Sequence, residues 1–193
     1  MTGTIHAERL DLRPIRPEDA GPMTLYCADE RVARMTSSIP HPYPPGCAQA
    51  FIEAVRAGRH SEDVWVMDGS RTGWADMIGM VSLMRAKREI GYWVGPPFWN
   101  TGFASEAVET VAAHLLGARG LERLQATVFA DNPASAQVLL KAGFRETGTG
   151  DGYSLSRDRM VPVRYFECVP GDLAALAAAA GQGQVLSGEG NAE

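Results

Sequence analysis

The spacing of apolar residues changes from that of a strand to that of a helix across one short loop in the middle of the chain. Residues 89–94, EIGYWV, predict a strand that ends at Gly95-Pro96-Pro97. Beyond the loop, apolar residues recur at the intervals of a helix that is buried on one side: Ala104, Ala107, Val108, Val111, Ala112 and Leu115. Together with the elements on either side, this unit predicts an α/β fold.

The segments before this loop predict an antiparallel meander. Alternating apolar and polar residues predict strands at 10–15, 64–67, 77–84 and 89–94. The turn expected at 68–74 would make two of them a hairpin. Helical spacing predicts one or two short helices within 18–35 and another at 48–57, separated by the proline-rich segment 40–45.

The segments after the central helix predict one parallel pair of strands. Asn132 and Pro133 supply a capping side chain and a proline at the first helical position, which predicts a second helix that ends at Gly143. Further strands are predicted at 124–129, 144–147 and 161–169, the last two joined by a loop containing Gly148, Gly150 and Gly152. Because a helix joins the strands at 89–94 and 124–129, they should run parallel in a mixed, mostly antiparallel sheet flanked by helices.

Length, charge and hydropathy exclude several classes of protein. With 193 residues, 45% of them hydrophobic, we expect one domain at 1–170 and a flexible Ala- and Gly-rich tail at 171–193. A formal charge of −5 argues against nucleic acid as a ligand. No apolar run approaches the roughly 18 residues of a membrane span, and residues 1–12 do not resemble an export signal. We therefore expect a cytoplasmic protein without a membrane partner.

The cysteines and histidines do not predict a metal site. Cys27, Cys47 and Cys168 are odd in number and widely spaced, which suits neither a disulfide framework nor a CxxC zinc site. The four histidines are scattered along the chain. We expect no bound metal, and thiols that are buried or idle.

The loop between the central strand and its helix is a candidate anion site. The first N–H groups of a helix have no partners within it, and the helix dipole favours a negative charge beside them. Bulk at Gly102 or Ala104 would keep ligand oxygens away from these amides. The segment therefore predicts phosphate binding, although a lone glycine is equally typical of an ordinary helix start. Neither a Rossmann nor a P-loop motif is present. Glu106 is interpreted as structural, because the dipole favours a carboxylate in the first turn.

Four motifs in order along the chain, together with its opening, resemble one enzyme family. The motifs are EIGYWV at 89–94, FWNTGFASEA at 98–107, NPAS at 132–135 and KAGF at 141–144, and the opening is ERLDLRP at 8–14. The sequence resembles the GNAT N-acetyltransferases over about residues 6–169, most closely the RimJ/RimL-like branch that is named for ribosomal-protein N-terminal acetyltransferases. The resemblance implies the GNAT fold, in which two central parallel strands splay apart.

The resemblance also implies acetyl-CoA as cosubstrate. Gly102 and Ala104 match the fourth and sixth places of the family's pyrophosphate loop, Arg/Gln-x-x-Gly-x-Gly/Ala, whereas Trp99 stands at the first. Pyrophosphate binding would then depend on backbone amides of Asn100, Thr101, Gly102, Phe103, Ala104 and Ser105. The pantetheine arm would lie between the splayed strands, held by backbone groups near Trp93 and Val94, and Asn132 matches the asparagine that touches this arm. An amide of the first strand would stabilise the oxyanion.

The implied reaction is acetyl transfer to a primary amine by direct attack in a ternary complex. Because the amine must be neutral, a base is needed, and Glu89 is the candidate; the alternative is a solvated carboxylate beside Lys87 and Arg88. Relatives often protonate the leaving thiolate with a tyrosine in the second helix, whose place is Leu139 here. Ser135 is the remaining hydroxyl, unless it only caps the helix or the thiolate leaves without a protein acid.

The identity of the acceptor amine is left open: it is either a protein N-terminus or a small molecule. His41 and Tyr43, in the proline-rich loop, and Tyr92 are candidate substrate-binding residues, with an ordinary loop as the alternative for the first two. Overall negative charge favours a cationic acceptor. A homodimer is left open. The alternative is not an enzyme but a module that binds CoA without turnover. The leucine at the position of the family's tyrosine favours this alternative.

Overall fold

A single eight-stranded sheet forms the centre of the protein. The structure, a computed structural model, describes residues 3–175. The strands are β1 (Ile5–His6), β2 (Asp11–Arg13), β3 (Glu62–Asp68), β4 (Gly79–Met84), β5 (Glu89–Val94), β6 (Leu124–Phe129), β7 (Arg145–Ser154) and β8 (Arg159–Cys168). Their spatial order is β1-β2-β3-β4-β5-β6-β8-β7. The predicted mixed, mostly antiparallel sheet is confirmed, since β5 and β6 are parallel and the other neighbours are antiparallel.

Helices cover both faces of this sheet. They are α1 (Ala20–Cys27), α2 (Glu30–Ala33), α3 (Cys47–Arg56), α4 (Phe103–Ala113) and α5 (Pro133–Lys141). Alternate residues of β3 point to opposite faces, so that Trp65 and Met67 pack in the core under α4 and α5, and Val64 and Val66 pack in the core under α1 to α3. The predicted tail begins with helical residues 170–175, and its remainder lies outside the described residues. Within residues 3–175, no helix is long and apolar enough to cross a bilayer.

The two parallel strands touch only where they begin. Their single register pair is Glu89 with Gln125, and the Gln125 N–H donates to the Arg88 carbonyl at 2.9 Å. Beyond this point β5 follows β4 and β6 follows β8, each over six residue pairs. Because the two halves of the sheet diverge, a gap opens between the carboxyl ends of β5 and β6. The predicted splay is thereby confirmed.

The glycine-rich segment expected to be a loop is instead part of an edge strand. Gly148, Gly150 and Gly152 lie in β7, which continues to Ser154 rather than ending near Thr147. A Cβ atom on Gly150 would lie 2.5 Å from the Tyr165 hydroxyl oxygen. One on Gly152 would lie 2.9 Å from a methyl carbon of Val163 on β8. The prediction was wrong because these glycines make room for side chains of the neighbouring strand and do not form a turn.

A buried ion-pair network fixes β2 to the start of α1 and the end of β3. The Arg13 guanidinium donates to Asp68 at 2.6 Å and to both carboxylate oxygens of Asp19 at 2.8 and 2.9 Å. It also donates to the Asp76 carbonyl at 2.7 Å. The side chains of Arg13, Asp19 and Asp68 are 4%, 3% and 10% exposed, so each charge depends on the others for compensation.

Arg13→Met should destabilise the fold by about 3–5 kcal/mol, because it leaves two carboxylates buried without their partner. Urea unfolding measures the change. The matched control is Arg31→Met, which removes a pair with Asp29 from an arginine side chain that is 66% exposed and should leave the free energy of unfolding close to the wild-type value. A loss in Arg13→Met as small as that in the control would contradict the assigned role of the network.

Candidate functional site

A cavity of about 610 Å³ lies where β5 and β6 separate. Its floor is formed by side chains of both strands, including Trp93 and Phe129. One wall comes from residues 35–40 and from Phe51 on α3, and the other from β7 and β8. The cavity thus lies mainly on the α1–α3 face and reaches through the gap to Ser135 on the opposite face.

The structure brings together five of the predicted site residues around this cavity: Tyr43, Glu89, Tyr92, Trp93 and Ser135. Residues 100–105, Val94 and Asn132 lie outside its lining, as does His41, which is exposed to solvent. Most of the predicted residues therefore form two groups, one that lines the cavity and one in the loop at the start of α4.

Tyr92 links the two sides of the gap. Its hydroxyl donates to the Ser135 carbonyl at 2.9 Å and lies 2.7 Å from the Ser135 Oγ. Burial raises the pKa of this phenol well above its ordinary value, partly offset by the hydrogen bond to Ser135, so the group stays neutral at physiological pH. Because Tyr92 is on β5 and Ser135 is on the helix that follows β6, the pair places two hydroxyls beside the opening.

Asn132 caps the helix that carries Ser135. Its side-chain oxygen accepts the Ser135 backbone N–H at 3.1 Å, which makes it the N-cap predicted from the sequence. Leu139, at the place of the family tyrosine, is fully buried between helices and sheet. Ser135 is therefore held at a fixed position in the first turn of α5.

The backbone of β5 offers polar groups to the gap. The Gly95 N–H donates to the Ile78 carbonyl at 2.9 Å, in register with the β4–β5 pairing. Since hydrogen-bonded and non-hydrogen-bonded pairs alternate in an antiparallel ladder, the backbone groups of Tyr92 and Val94 point away from β4, toward the gap. The Val94 carbonyl is already occupied by the Trp99 indole N–H at 2.7 Å. The Val94 N–H and the backbone of Tyr92 are thus the groups that a guest in the gap would meet.

The loop before α4 presents a row of unpartnered amides. The N–H groups of residues 100–105 make no hydrogen bond to any residue that the structure describes, and the first bond of the helix runs from the Glu106 N–H to the Gly102 carbonyl. Gly102 has a φ of 85° and Asn100 a φ of 61°, both in the left-handed region. Six free donors at the positive end of a helix dipole form a site suited to an anion.

Side chains hold this loop in shape from three directions. The Trp99 indole bonds β5, the Thr101 hydroxyl donates to the Phe98 carbonyl at 2.6 Å, and Arg9 donates to the Thr101 carbonyl at 3.0 Å. Arg9 was not among the predicted site residues, although it lies in the motif at 8–14. Sequence spacing could not show that this arginine reaches a loop more than ninety residues later.

Unpaired charges surround the cavity. The carboxylates of Glu62, Glu89 and Asp151 line it together with the ammonium group of Lys87, and none of the four has an ion-pair partner within residues 3–175. Glu89 is half-buried on the same face of β5 as Trp93. Three carboxylates against one ammonium favour a cationic guest. Among the described residues, no group of three or more His, Cys, Asp or Glu could hold a metal ion.

Arg157 joins the two walls of the cavity. From the turn between β7 and β8, its guanidinium donates to the Arg34 carbonyl at 2.9 Å and to Asp131 at 2.8 Å, and it lies over the Phe129 ring. Beside it, the Leu155 N–H donates to the Ser37 carbonyl at 3.1 Å. These contacts hold residues 35–40 against the hairpin and limit the size of the cavity mouth. No sequence pattern indicated them.

Comparison with known proteins identifies relatives of the chain. Residues 9–145 match the family model described as acetyltransferase (GNAT) domain. The uncharacterized N-acetyltransferase YoaA of Bacillus subtilis (strain 168) is 45% identical over 73 residues, which are 37% of this chain and 41% of YoaA. That match therefore spans about two fifths of the relative's length. The uncharacterized N-acetyltransferase p20 of Bacillus licheniformis is 27% identical over 170 residues, covering 84% of this chain and 94% of p20.

A solved structure shares the fold. Mycobacterium smegmatis RimJ in complex with CoA-disulfide superimposes with a TM-score of 0.75 at 21% identity, covering 93% of this chain and 95% of that chain. The predicted GNAT fold is thus confirmed by a family model and by a structure that carries the same architecture.

The cysteines should differ sharply in reactivity. Burial raises the pKa of Cys27 to about 12 and that of Cys168 to about 11, so both thiols stay protonated and unreactive at pH 8. Cys47 is partly exposed and lines the cavity. Ellman's reagent at pH 8 should modify one thiol rapidly in the native protein and all three in denaturant. The fast reaction should vanish in Cys47→Ser; two fast thiols in the native wild type would contradict this.

Proposed function

The chain belongs to the GNAT acetyltransferase family, and from this premise we propose that it transfers the acetyl group of acetyl-CoA to a primary amine by direct attack in a ternary complex. The observation that carries the proposal is the gap between β5 and β6, which has six free loop amides at one end and a cavity with an unpaired carboxylate at the other. The loop amides would bind a diphosphate, the gap would hold an extended pantetheine arm, and the cavity would hold an amine.

Acetyl-CoA would bind through main-chain groups. The amides of residues 100–105 would donate to the diphosphate, because their N–H groups are free. The pantetheine arm would lie along the Tyr92 and Val94 backbone as an extra strand. A gap-facing N–H of β5 that lies nearer to Glu89, that of Tyr92, would donate to the thioester oxygen and stabilise the oxyanion as the amine attacks. The solved structure of Mycobacterium smegmatis RimJ, which shares this fold, is in complex with CoA-disulfide, and this supports CoA as the ligand.

Glu89 would act as the base, directly or through a water molecule. An α-ammonium group has a pKa of about 7.7–8.0 and a lysine ammonium about 10.4, so either must lose a proton before it attacks. Glu89 has no ion-pair partner among the described residues and faces the cavity at the narrow end of the gap. The carboxylate would take the amine proton and stabilise the cationic intermediate.

Ser135 would protonate the leaving thiolate. When the tetrahedral intermediate collapses, the C–S bond would break and the sulfur would take the proton of the Ser135 Oγ, which would regain a proton from solvent water. The 2.7 Å contact with the Tyr92 hydroxyl holds the Ser135 Oγ beside the gap. Leu139 has no proton to give and no access to the gap.

The acceptor would be a cationic amine, from a protein N-terminus or a small molecule. Three unpaired carboxylates around the cavity attract an ammonium group, and half-buried Tyr43 supplies an aromatic wall. The segment from 35 to 40 and the β7–β8 hairpin, fastened by Arg157, would admit a slender amine more readily than a side chain on a folded surface.

A thiol-release assay tests the function. Acetyl-CoA is offered with a panel of amino-terminal peptides, polyamines and amino-acid-like amines, and free CoA is measured. Amine-dependent release with at least one class of acceptor is the expected result. CoA binding without release over the whole panel would overturn acetyl transfer to these acceptors and leave a CoA-binding module.

Glu89→Gln should lower kcat by about 100-fold at pH 7, the typical contribution of a general base, with CoA affinity unchanged. The deficit should shrink as pH rises, because the fraction of neutral amine in solution increases. The control is Glu62→Gln, which removes another cavity carboxylate and should change kcat less than about threefold. Equal rates in Glu89→Gln and wild type would remove Glu89 from the mechanism, as would an equal loss in both variants.

Gly102→Val should weaken CoA binding at least about tenfold, because it forces a branched residue into the left-handed region and places a Cβ 3.3 Å from the Arg9 Nη2, so that the loop carrying the amides is distorted. Isothermal titration calorimetry measures the affinity. Gly120→Val is the matched control, since Gly120 also has a positive φ, of 65°, with nothing within 4 Å of its Cβ position. Unchanged CoA affinity in Gly102→Val, or a similar loss in Gly120→Val, would contradict the placement of the diphosphate.

A further inference from the structure

Arg9 connects the start of the chain to the amide-rich loop before α4. Its Nε donates to Glu106 at 2.7 Å and its Nη1 donates to the Thr101 carbonyl at 3.0 Å. The guanidinium also lies over the ring of Phe103, the first residue of α4, at 4.6 Å from the centroid. One side chain therefore contacts the loop, the first helical residue and the first helical turn together.

Glu106 holds this arginine in place. Its Oε1 accepts the backbone N–H groups of Arg9 and Leu10 at 2.6 and 3.2 Å, and its Oε2 accepts the Arg9 Nε. The Glu106 side chain is 13% exposed and that of Arg9 is 37% exposed, so the carboxylate forms these bonds in a partly dehydrated setting. The carboxylate is therefore more than a favourable charge at a helix start: it fixes the position and plane of the guanidinium.

The contact with Thr101 determines where the next amide points. In a trans peptide unit the C=O and the following N–H point in opposite directions. Because Arg9 holds the Thr101 carbonyl on its own side of the loop, the Gly102 N–H is aimed to the opposite side. A Cβ on Gly102 would lie 3.3 Å from the Arg9 Nη2, which shows how closely the guanidinium lies against the loop backbone.

We infer that Arg9, held by Glu106, is a positioning residue that aims the Gly102 amide and its neighbours at the diphosphate of CoA. The inference rests on the proposed function. Arg9 acts through the loop backbone: without its bond to Thr101, the peptide unit between Thr101 and Gly102 can rotate, and the Gly102 N–H is no longer held on the side of the loop away from Arg9. Trp99, at the loop position where the family pattern has Arg or Gln, bonds β5 instead.

The test compares Arg9→Lys and Glu106→Gln with wild type. A lysine keeps the charge but has a single donor group, so it cannot bond Glu106 and Thr101 through a planar fork. Calorimetry should show that both variants bind CoA at least about tenfold more weakly than wild type, because each variant loses one charge-assisted hydrogen bond. In steady-state kinetics the KM for acetyl-CoA should rise by the same factor, with kcat and the KM for the amine changed less than about threefold.

The matched control is Arg164→Lys, which breaks a similar two-bond contact with Glu146, at 2.6 and 2.9 Å, on the far side of the sheet. It should leave CoA affinity at the wild-type value. Wild-type affinity in Arg9→Lys and Glu106→Gln would overturn the inference and leave the proposed function intact. Equal losses in kcat and both KM values would also overturn it, because they indicate a general structural defect. Absence of CoA binding by the wild type would instead remove the proposed function and the inference together.

Discussion

The divergence of two parallel strands determines the rest of this structure. β5 is paired with β4 along its length and β6 with β8, so the two strands meet only at Glu89 and Gln125 and leave main-chain groups unpaired beyond that point. Unpaired backbone inside a protein is costly unless water or a ligand satisfies it. The cavity, the free amides and the Tyr92–Ser135 contact lie around this open gap, which we propose to be the binding site of the coenzyme.

Different parts of the chain hold the two ends of the gap in place. At one end, Trp99 ties the loop to the end of β5, and Arg9 with Glu106 ties it to the segment before β2. At the other, Arg157 holds the hairpin of β7 and β8 against the segment that follows α2. A ligand spanning the gap would thus meet a preorganised loop and a mouth of fixed size, which reduces the ordering cost of binding.

Local periodicity predicted the elements that frame the site. The strands β5 and β6 begin and end where the sequence pattern placed them, and the helix α5 begins at the predicted cap, because these segments combine regular apolar spacing with strong turn signals. The loop predicted at the glycines of β7 was wrong, because glycine occurs both in turns and in strands where a large side chain of the neighbouring strand needs room.

The long-range contacts could not be predicted. The contacts of Arg9 with Glu106 and of Arg157 with Arg34 join residues 97 and 123 positions apart, and no local pattern carries that information. Glu106 was predicted to be structural from its place in the first helical turn, but its partner Arg9 could come only from the fold.

The most direct measurement of the central claim is a titration of the isotopically labelled full chain with CoA, followed by backbone amide NMR. The account predicts the largest shifts at residues 100–105 and along the carboxyl half of β5, where free amides face the gap. The amides at the start of α5, another helix N-terminus with a capped first turn, should move less. Shifts centred on α5 or on the outer face of β7, or no saturable change at all, would contradict the claim that the gap and its loop are the coenzyme site.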